Sequence, residues 1–428
     1  MEWTKCQEAA LSEIEDFLIS DESQMIIKGG GGVGKTFLVS YIVDKVIPST
    51  IAAMRALGDD YPYNTVHLTA TTNKAAGVLS DSIDKPVMTI HNLLELFVHK
   101  DWKTGKSTLR KKNGKSHHFI ANSIVFIDEA YMVDYELMEH LRRSLRDCKI
   151  IFVGDDAQLL PVMGRSVIPS LETSIRTVSL ETPVRSRIPI IMENNLKARE
   201  AVLTGNFLEE FQVNGKEAIH VLPSEAEEVV EEAFKNESES ARILCYKNQT
   251  VIGYNQWVTK RLGYKELYNV GQPYISNNMV LEGNKKILSV DQEVTVASIG
   301  DFPREVHLAN ANIHDHETAH SLLVRDIQLL TKGFGTVTVK VPVDMDAYLA
   351  LIRQAKRQKN WPLVYELQEN FCDLRPAYAS TVHKSQGSTY DTVFIDLNDL
   401  HECTVGDTYR RLLYVAMTRA RKKVYFIE

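Results

Sequence analysis

Residues 29–36 read Gly29-Gly-Gly-Gly-Val-Gly34-Lys35-Thr36 and directly follow the short apolar run Met25–Lys28. This stretch satisfies the spacing G-x-x-x-x-G-K-[ST], and an apolar helical stripe begins after it. Glycines let the backbone N–H groups of such a loop turn inward around phosphate oxygens, and the helix N-terminus adds a positive dipole end. A glycine-rich turn with this spacing by chance is the alternative, but it leaves the strand and helix on either side unexplained. The sequence therefore predicts a phosphate-binding loop, with Lys35 at the β- and γ-phosphates and Thr36 as a Mg²⁺ ligand.

A second strand candidate, Ile124–Ile127, ends in the carboxylates Asp128 and Glu129. Parallel α/β sheets bind their ligands at the carboxyl ends of the strands, so both side chains are expected beside the phosphate loop. Asp128 is the predicted second Mg²⁺ ligand, and Glu129 is placed to orient and deprotonate an attacking water. A solvated strand end could also read Asp-Glu. Because nucleotide kinases and small GTPases share a phosphate loop and carboxylates, the class of NTPase stays open at this point.

The first half of the chain alternates β-rich runs with amphipathic stretches, the pattern of a mostly parallel α/β sheet. Its strand candidates are Met25–Lys28, Val66–Ala70, Ser123–Ile127 and Lys149–Val153. A second series is predicted to begin near Val178–Leu180 and to continue at Ala241–Tyr246, Ala377–Thr381, Thr392–Asp396 and Lys423–Ile427. Between residues 262 and 372, alternating β-branched runs and two helical stretches predict a small β-rich insert with a helical pair.

Composition narrows the class of protein. The 428 residues exceed what one core usually holds, so two or more domains are expected. Five scattered cysteines without a C-x-x-C pair, no membrane-length apolar run and no signal segment predict a cytoplasmic protein without a membrane partner. The net charge is −7, yet Val98–His118 holds six lysines and Arg110 against Asp101. Such a stretch indicates a nucleic-acid contact, or alternatively a solvated charged loop.

Further segments resemble the motifs of superfamily 1 helicases, in the order of that family. They are Gln7 (Q motif), Leu68–Ala76 (motif Ia), Thr89–His91 (motif Ib), Val153–Val162 (motif III), Glu181–Ser186 (motif IV), Thr381–Gly387 (motif V) and Leu413–Ala420 (motif VI). Gln158–Val162 and His383–Gly387 are similar to the B branch, which contains the RecD- and Dda-type helicases. The compact length is most similar to the Dda helicases of T4-like bacteriophages.

This resemblance implies an α/β fold of two RecA-like P-loop domains, each a parallel sheet with flanking helices. It further implies a β-hairpin insert in the first domain and a small β-rich, SH3-like plus helical insert in the second. The implied boundaries are 1–180 for domain 1A, with 96–119 as a basic hairpin or pin, 181–261 with 373–428 for domain 2A, and 262–372 for accessory domain 2B.

The activity implied by the resemblance is that of an ATP- and Mg²⁺-dependent DNA helicase that moves 5′→3′ on single-stranded DNA and unwinds duplexes as a monomer. The implied partners are single-stranded DNA, single-strand/duplex junctions, and replication or single-strand-binding proteins. An RNA helicase and a nucleic-acid-stimulated NTPase or translocase without strand separation remain alternatives. A nucleotide-sensing scaffold with a dead site is disfavoured, since it should have lost Glu129, Arg185 or Arg419.

The resemblance also implies roles for individual residues. The catalytic set is Lys35, Glu129, Gln158, Arg185 and Arg419, with the two arginines as fingers toward the γ-phosphate, and the metal ligands are Thr36 and Asp128. The nucleotide-contacting set is Gln7, Gly29, Gly32, Val33, Gly34, Lys35, Thr36, Phe37 and Gly387. The strand-contacting set is Thr71, Thr72, Asn73, Lys74, His91, Thr381, His383 and Lys384, with Phe97 or Trp102 as the wedge that separates a base pair. Because Asn73 stands where Dda-type proteins often have histidine, its expected contact is a neutral hydrogen bond.

Overall fold

The computed structural model describes residues 3–100, 107–111, 119–161, 165–184, 188–207, 210–237, 240–283, 285–309, 321–331 and 335–428. The chain divides into two compact units. The first comprises Met1–Phe97, Lys111–Pro223 and Ser385–Glu428, and the second comprises Val98–Arg110 and Ser224–Lys384. The domain boundaries implied by the sequence follow a different division and stay a prediction.

The helices and strands alternate along most of the chain. The α-helices are α1 Lys5–Ile19, α2 Lys35–Tyr41, α3 Ile47–Leu57, α4 Asn73–Ile83, α5 Ile90–Leu93, α6 Tyr135–Ser144, α7 Ile168–Leu171, α8 Pro189–Thr204, α9 Pro223–Glu237, α10 Asn248–Arg261, α11 Met345–Arg357, α12 Trp361–Asn370, α13 Val382–Ser385, α14 Leu397–His401 and α15 Gly406–Met417. The strands up to the middle of the chain are β1 Gln24–Gly29, β2 Thr65–Ala70, β3 Met88–Thr89, β4 Leu96–Lys100, β5 Ser107–Lys111, β6 Ile120–Ala121, β7 Ser123–Asp128, β8 Leu145–Arg146, β9 Lys149–Gly154, β10 Arg176–Leu180, β11 Ala218–Val221 and β12 Ala241–Cys245. The later strands are β13 Pro273–Ser276, β14 Val280–Glu282, β15 Lys285–Leu288, β16 Glu293–Ile299, β17 Arg304–His307, β18 Ser321–Thr331, β19 Gly335–Pro342, β20 Leu374–Pro376, β21 Ala379–Thr381, β22 Tyr390–Asp396 and β23 Ala420–Ile427.

The first unit is built on a parallel sheet in the order β10-β1-β9-β7-β2-β3. Its strands are apolar on both faces because each face supports a separate core. In β7, Ile124 and Phe126 pack into one core, whereas Val125 and Ile127 pack into the other. The predicted α/β class, with parallel sheets and flanking helices, is confirmed.

Strand β10 corrects one expectation. The sequence placed Val178–Leu180 at the start of a second strand series, and this is wrong because β10 pairs in parallel with β1, with Ile27 opposite Val178 and Gly29 opposite Leu180. A run of alternating residues predicts a strand, but it does not specify the neighbour of that strand. Each of the other predicted strands overlaps an observed strand.

The helix after the phosphate loop runs without interruption from Lys35 to Leu57, because a π-helical turn at Ile42–Val46 joins α2 to α3. Among the described residues, this one helix is long and apolar enough to cross a membrane, although no single apolar run in the sequence has that length. Its buried residues, including Leu38 and Val46, pack into a core beside the sheet. These buried residues anchor the helix that follows the phosphate loop to the sheet.

The first unit also contains the parallel strands β11, β23 and β22 in this order, and helix α15 packs against helix α8. In the second unit β12 pairs in parallel with β21. An antiparallel sheet in the order β17-β18-β16-β13-β20, with β19 beside β18, lies mostly within the range that was predicted as a β-rich insert. Helices α11 and α12 lie where the sequence predicted a helical pair. The label SH3-like stays a prediction. Strands β4 and β5 form a two-stranded sheet in the range predicted as a hairpin, and Trp102 lies outside the described residues.

Candidate active site

The phosphate loop connects β1 to α2 and depends on glycine at Gly34. This residue is the N-cap of α2 with φ of 88°, a left-handed conformation that glycine adopts without strain. A Cβ there would also lie only 2.6 Å from Nε2 of Gln7. The Lys35 ammonium folds back over the loop and donates to the carbonyl oxygens of Gly29 and Gly30 at 2.6 and 2.9 Å.

A cavity of about 380 Å³ lies at this loop within the first unit. Residues from motifs that are far apart in the sequence line it together. The predicted site residues in its lining are Gly32, Gly34, Lys35, Thr36, Phe37, Asp128, Glu129, Gln158, Gly387 and Arg419. The structure therefore places most of the predicted nucleotide-contacting, metal-binding and catalytic residues around one space. Arg185 lies outside the described residues.

The two carboxylates stand where β7 ends, beside the end of β2. The backbone N–H of Thr71 donates to the carbonyl oxygen of Asp128 at 3.3 Å, and Glu129 has a left-handed φ of 52°. Burial raises the pKa of Asp128. Burial and the neighbouring Asp128 raise the pKa of Glu129 to about 7, while Lys35 and Arg419 act in the opposite direction. A carboxyl group that retains its affinity for a proton suits the role of a general base.

A divalent cation fits the donor set of this pocket. Thr36 supplies a hydroxyl oxygen and Asp128 a carboxylate oxygen, and both line the same cavity. Mg²⁺ binds through one or two carboxylates together with substrate phosphates and water rather than through a dense protein cage. Within the described ranges, no cluster of three or more His, Cys, Asp or Glu residues suitable for a metal is found.

Gln158 and Arg419 reach the cavity from the ends of β9 and α15. The Gln158 Oε1 atom accepts a hydrogen bond of 3.0 Å from Nε2 of Gln386, a motif V residue that sequence analysis did not assign to the site. The Arg419 side chain is almost fully buried, and its guanidinium donates to Val415 O, Ser388 O and Thr418 Oγ1 at 3.0, 3.0 and 2.8 Å. These contacts fix the guanidinium at the wall of the cavity.

Three predicted nucleotide-contacting residues lie outside the cavity lining: Gln7, Gly29 and Val33. The Gln7 amide closes a capping box with Thr4 at the start of α1, and its Nε2 donates to the carbonyl oxygen of Val33 at 3.2 Å. The Val33 side chain is buried in the core. Gln7 therefore supports the loop backbone in this structure, and its contact with adenine stays a prediction.

The strand-contacting residues predicted in the first unit follow β2 and β3. Thr71 is buried, with its Oγ1 3.4 Å from the carbonyl oxygen of Glu129, and Thr72 caps α4 by accepting from the Ala75 N–H at 3.1 Å. Asn73 is exposed, and Lys74 is half-buried. Burial lowers the pKa of His91, which favours the neutral imidazole. Phe97, one of the two wedge candidates, exposes 37% of its surface.

The motif V residues of the second unit lie between β21 and the end of α13. Thr381 is buried and its Oγ1 accepts from the Lys384 N–H at 3.3 Å, while burial lowers the pKa of His383. The Lys384 ammonium donates to Oδ1 of Asn277 at 3.1 Å and pairs with Asp291 at 2.9 Å. Their contacts with a nucleic acid strand stay predictions.

Sequence analysis missed the groups that approach the back of the phosphate loop. A Cβ at Gly30 would lie 3.1 Å from the Tyr414 hydroxyl, and a Cβ at Gly31 would lie 3.1 Å from Cβ of Thr418. The loop motif requires glycine only at Gly29 and Gly34. The additional glycines, Gly30 and Gly31, therefore indicate that another element approaches the loop closely. That element is helix α15 with the turn that follows it.

Comparisons with known proteins agree with this geometry. Residues 13–164 match the family model of an AAA domain, and residues 376–427 match that of a UvrD-like helicase C-terminal domain. The ATP-dependent DNA helicase dda of Enterobacteria phage T4 is 22% identical over 99% of this chain and 99% of its own length. The chain is a DNA helicase that resembles those of superfamily 1B.

Two further relatives of this helicase span nearly its full length. An uncharacterized protein, R530, of Acanthamoeba polyphaga mimivirus is 24% identical over 93% of the chain and 94% of its own length. The crystal structure of a Pif1 helicase from Bacteroides in complex with ADP-AlF3 and ssDNA has a TM-score of 0.50 at 16% identity, covering 100% of this chain and 92% of that one. The helicase thus has the fold of two RecA-like domains, as the sequence implied.

Proposed function

We propose that this helicase hydrolyses ATP with Mg²⁺ in the cavity at the phosphate loop, and that hydrolysis moves it 5′→3′ along single-stranded DNA and separates duplexes. The observation that carries the proposal is the convergence of Lys35, Glu129 and Arg419 on one cavity. Two relatives support the choice of ligands: one is named an ATP-dependent DNA helicase, and the other was crystallised with a nucleotide analogue and ssDNA.

In the proposed mechanism the residues act mainly by position and charge, because phosphoryl transfer to water spreads negative charge over the γ-oxygens. Lys35 binds the β- and γ-phosphates, and Glu129 accepts the proton of the attacking water. Arg419 stabilises the charge that develops in the transition state, and Gln158 contacts the γ-phosphate. Mg²⁺, held by Thr36 and Asp128, would neutralise charge on the phosphate oxygens.

The strand-contacting residues would make phosphate contacts, which give affinity without sequence preference and weaken as salt increases. Thr72, Asn73 and Lys74 are the members of this set that sit together at the exposed N-terminus of α4 in the first unit. The proposed partners are single-stranded DNA and single-strand/duplex junctions, and the proposed setting is a cytoplasm.

The deciding experiment measures ATPase activity with and without single-stranded DNA, with RNA of the same sequence, and then strand displacement on 5′- and 3′-tailed duplexes. We expect DNA to stimulate hydrolysis more than RNA and only the 5′-tailed duplex to be unwound. Lys35→Ala should abolish hydrolysis, whereas Lys45→Ala, an exposed lysine of the same continuous helix, should behave as wild type. Equal stimulation by RNA would favour the RNA helicase, and hydrolysis without displacement would favour a translocase. Hydrolysis that survives Lys35→Ala would overturn the assignment of the site.

A further inference from the structure

Asp155, the residue that follows β9, is a buried carboxylate that receives hydrogen bonds from separate parts of the first unit. Only 1% of its surface is exposed. Its Oδ1 accepts from the Ala157 N–H at 3.1 Å and from Nη1 of Arg199 at 2.7 Å. Its Oδ2 accepts from Nε2 of Gln158 at 3.3 Å and from the Tyr414 hydroxyl at 2.7 Å. One carboxylate therefore joins the motif III loop to helices α8 and α15.

The Tyr414 hydroxyl extends this network to the phosphate loop. It accepts a hydrogen bond of 2.8 Å from the backbone N–H of Gly31 while it donates to Asp155. Burial and the Asp155 charge raise the pKa of Tyr414 well above its ordinary value, so the hydroxyl keeps its proton. An unbroken path of three hydrogen bonds thus leads from Gly31 through Tyr414 and Asp155 to Gln158.

Arg199 fixes the other side of the carboxylate. Its guanidinium bridges Oδ1 of Asp155 at 2.7 Å and Oδ1 of Asp156 at 2.5 Å. Burial alone would lower the pKa of Arg199, but Asp155 and Asp156 raise it above its ordinary value. Breaking a buried charged network by removing one partner is costly because the remaining charge stays desolvated. The loop at residues 155–158 is therefore held in one arrangement while Arg199 is in place.

Helix α15 adds a second clamp on the same loop. Nη1 of Arg411 donates to the carbonyl oxygens of Asp156 and Gln158 at 2.7 and 2.8 Å. The side chain of Gln158 lines the cavity, whereas its carbonyl and its Nε2 are bound to this network. The orientation of the side chain that faces a nucleotide is thus set by groups that do not line the cavity themselves.

We propose that Tyr414 and Arg199 are positioning residues for ATP hydrolysis, which hold the phosphate loop and Gln158 in their working arrangement through the shared Asp155 carboxylate. The proposal rests on the proposed function, because it assigns the network to the same cavity. Neither side chain needs to touch the nucleotide. Misplacement of groups that align the reacting atoms lowers turnover more than it lowers ground-state affinity.

The first test removes a single oxygen atom. Tyr414→Phe preserves the ring but leaves the Gly31 N–H and the Asp155 carboxylate each without one partner. We expect kcat for ATP to fall about tenfold, the loss that corresponds to one buried hydrogen bond to a charged group, with KM changed less than about threefold. The control is Tyr409→Phe on the same helix, a tyrosine whose ring stacks on His401 and which should keep wild-type kinetics.

The second test changes the arginine. Arg199→Lys keeps a positive charge but cannot bridge two carboxylates as a guanidinium does, so kcat should again fall about tenfold, while Arg199→Met should lose on the order of a hundredfold. The conservative variant therefore rescues part of the loss. Thermal unfolding of each variant checks that the protein assayed is folded.

A double variant separates positioning from general stability. If Tyr414 and Arg199 act through the same carboxylate, Tyr414→Phe combined with Arg199→Lys should lose clearly less kcat than the product of the two single losses. Multiplicative losses, unchanged kcat in Tyr414→Phe, or losses that appear only in KM or only in thermal stability would each overturn the proposal. Absence of ATPase activity in the wild-type protein would instead refute the proposed function, so the two failures are distinguishable.

Discussion

The cavity at the phosphate loop in the first unit and the motif V segment of the second unit are both rich in polar side chains, yet these side chains are used differently. In the cavity, Lys35, Glu129 and Arg419 face a shared space from three motifs. In the motif V segment, Thr381 is buried, and Lys384 is paired with Asp291 and Asn277 of its own unit.

The position of a polar residue in the fold assigns its role in the first case but not in the second. Side chains at adjacent ends of parallel strands converge because the sheet brings the strand ends together, so their common site follows from the topology. The contacts of Lys384 are instead with the loops around Asn277 and Asp291, in the part of the chain that was read as an insert. A polar residue near an insert can bind the insert, a ligand, or each in turn.

Removal of the Arg419 guanidinium should have the most severe consequence for turnover, and it tests whether this group stabilises the transition state. If Arg419 is an arginine finger, Arg419→Ala should lower DNA-stimulated kcat on the order of 10³–10⁵-fold while ATP affinity changes little. The measurement is single-turnover hydrolysis together with binding of a fluorescent ATP analogue. The matched control is Arg421→Ala, an exposed arginine paired with Asp391. Collapsed affinity with intact turnover would make Arg419 a ground-state ligand instead.

A smaller loss of turnover is expected when Glu129, the proposed general base, is replaced. Glu129→Gln should still bind Mg-ATP but hydrolyse it about 10²–10⁴ times more slowly, because an amide cannot accept the proton of the water. Glu136→Gln, at an exposed glutamate in the first turn of α6, serves as the control. Near wild-type turnover in Glu129→Gln would show that another group is the base.

The parts of the site that sequence predicted are those fixed by short-range pattern. Gly34 and Lys35 are set by the loop motif, and Asp128 and Glu129 by the end of one apolar strand. The hydrogen bond between Tyr414 and Asp155 joins residues 259 positions apart, and no local pattern encodes it. For the same reason, the sequence predicted β10 as a strand but did not predict that β10 pairs with β1.

An effect of intermediate size, on the free energy of unfolding, is expected from the loss of the Thr72 hydroxyl. Its hydroxyl caps α4, so Thr72→Ala should lower the free energy of unfolding by about 1 kcal/mol, whereas Thr72→Ser should retain most of it. Denaturant unfolding measures the difference. If Thr72→Ala is as stable as wild type but binds single-stranded DNA less tightly, and Thr72→Ser binds as wild type does, the hydroxyl serves the strand rather than the helix.

Substitutions at Lys384 and its partner should change stability and DNA affinity only slightly, and they test the role of this lysine. Its ion pair with Asp291 is partly exposed, with 38% and 27% of the two side chains accessible, so breaking it should cost at most about 1 kcal/mol of stability. If the lysine also contacts a strand phosphate, Lys384→Ala should weaken DNA binding severalfold and reduce the slope of log affinity against log salt by about one.

Asp291→Asn then becomes the informative variant, because it releases the lysine without removing its charge. We expect Asp291→Asn to bind single-stranded DNA as tightly as wild type or more tightly, measured by fluorescence anisotropy across a salt series. Equal weakening in both variants would mean that the pair itself is required, and Lys384 would then act by holding motif V to the loop that carries Asp291.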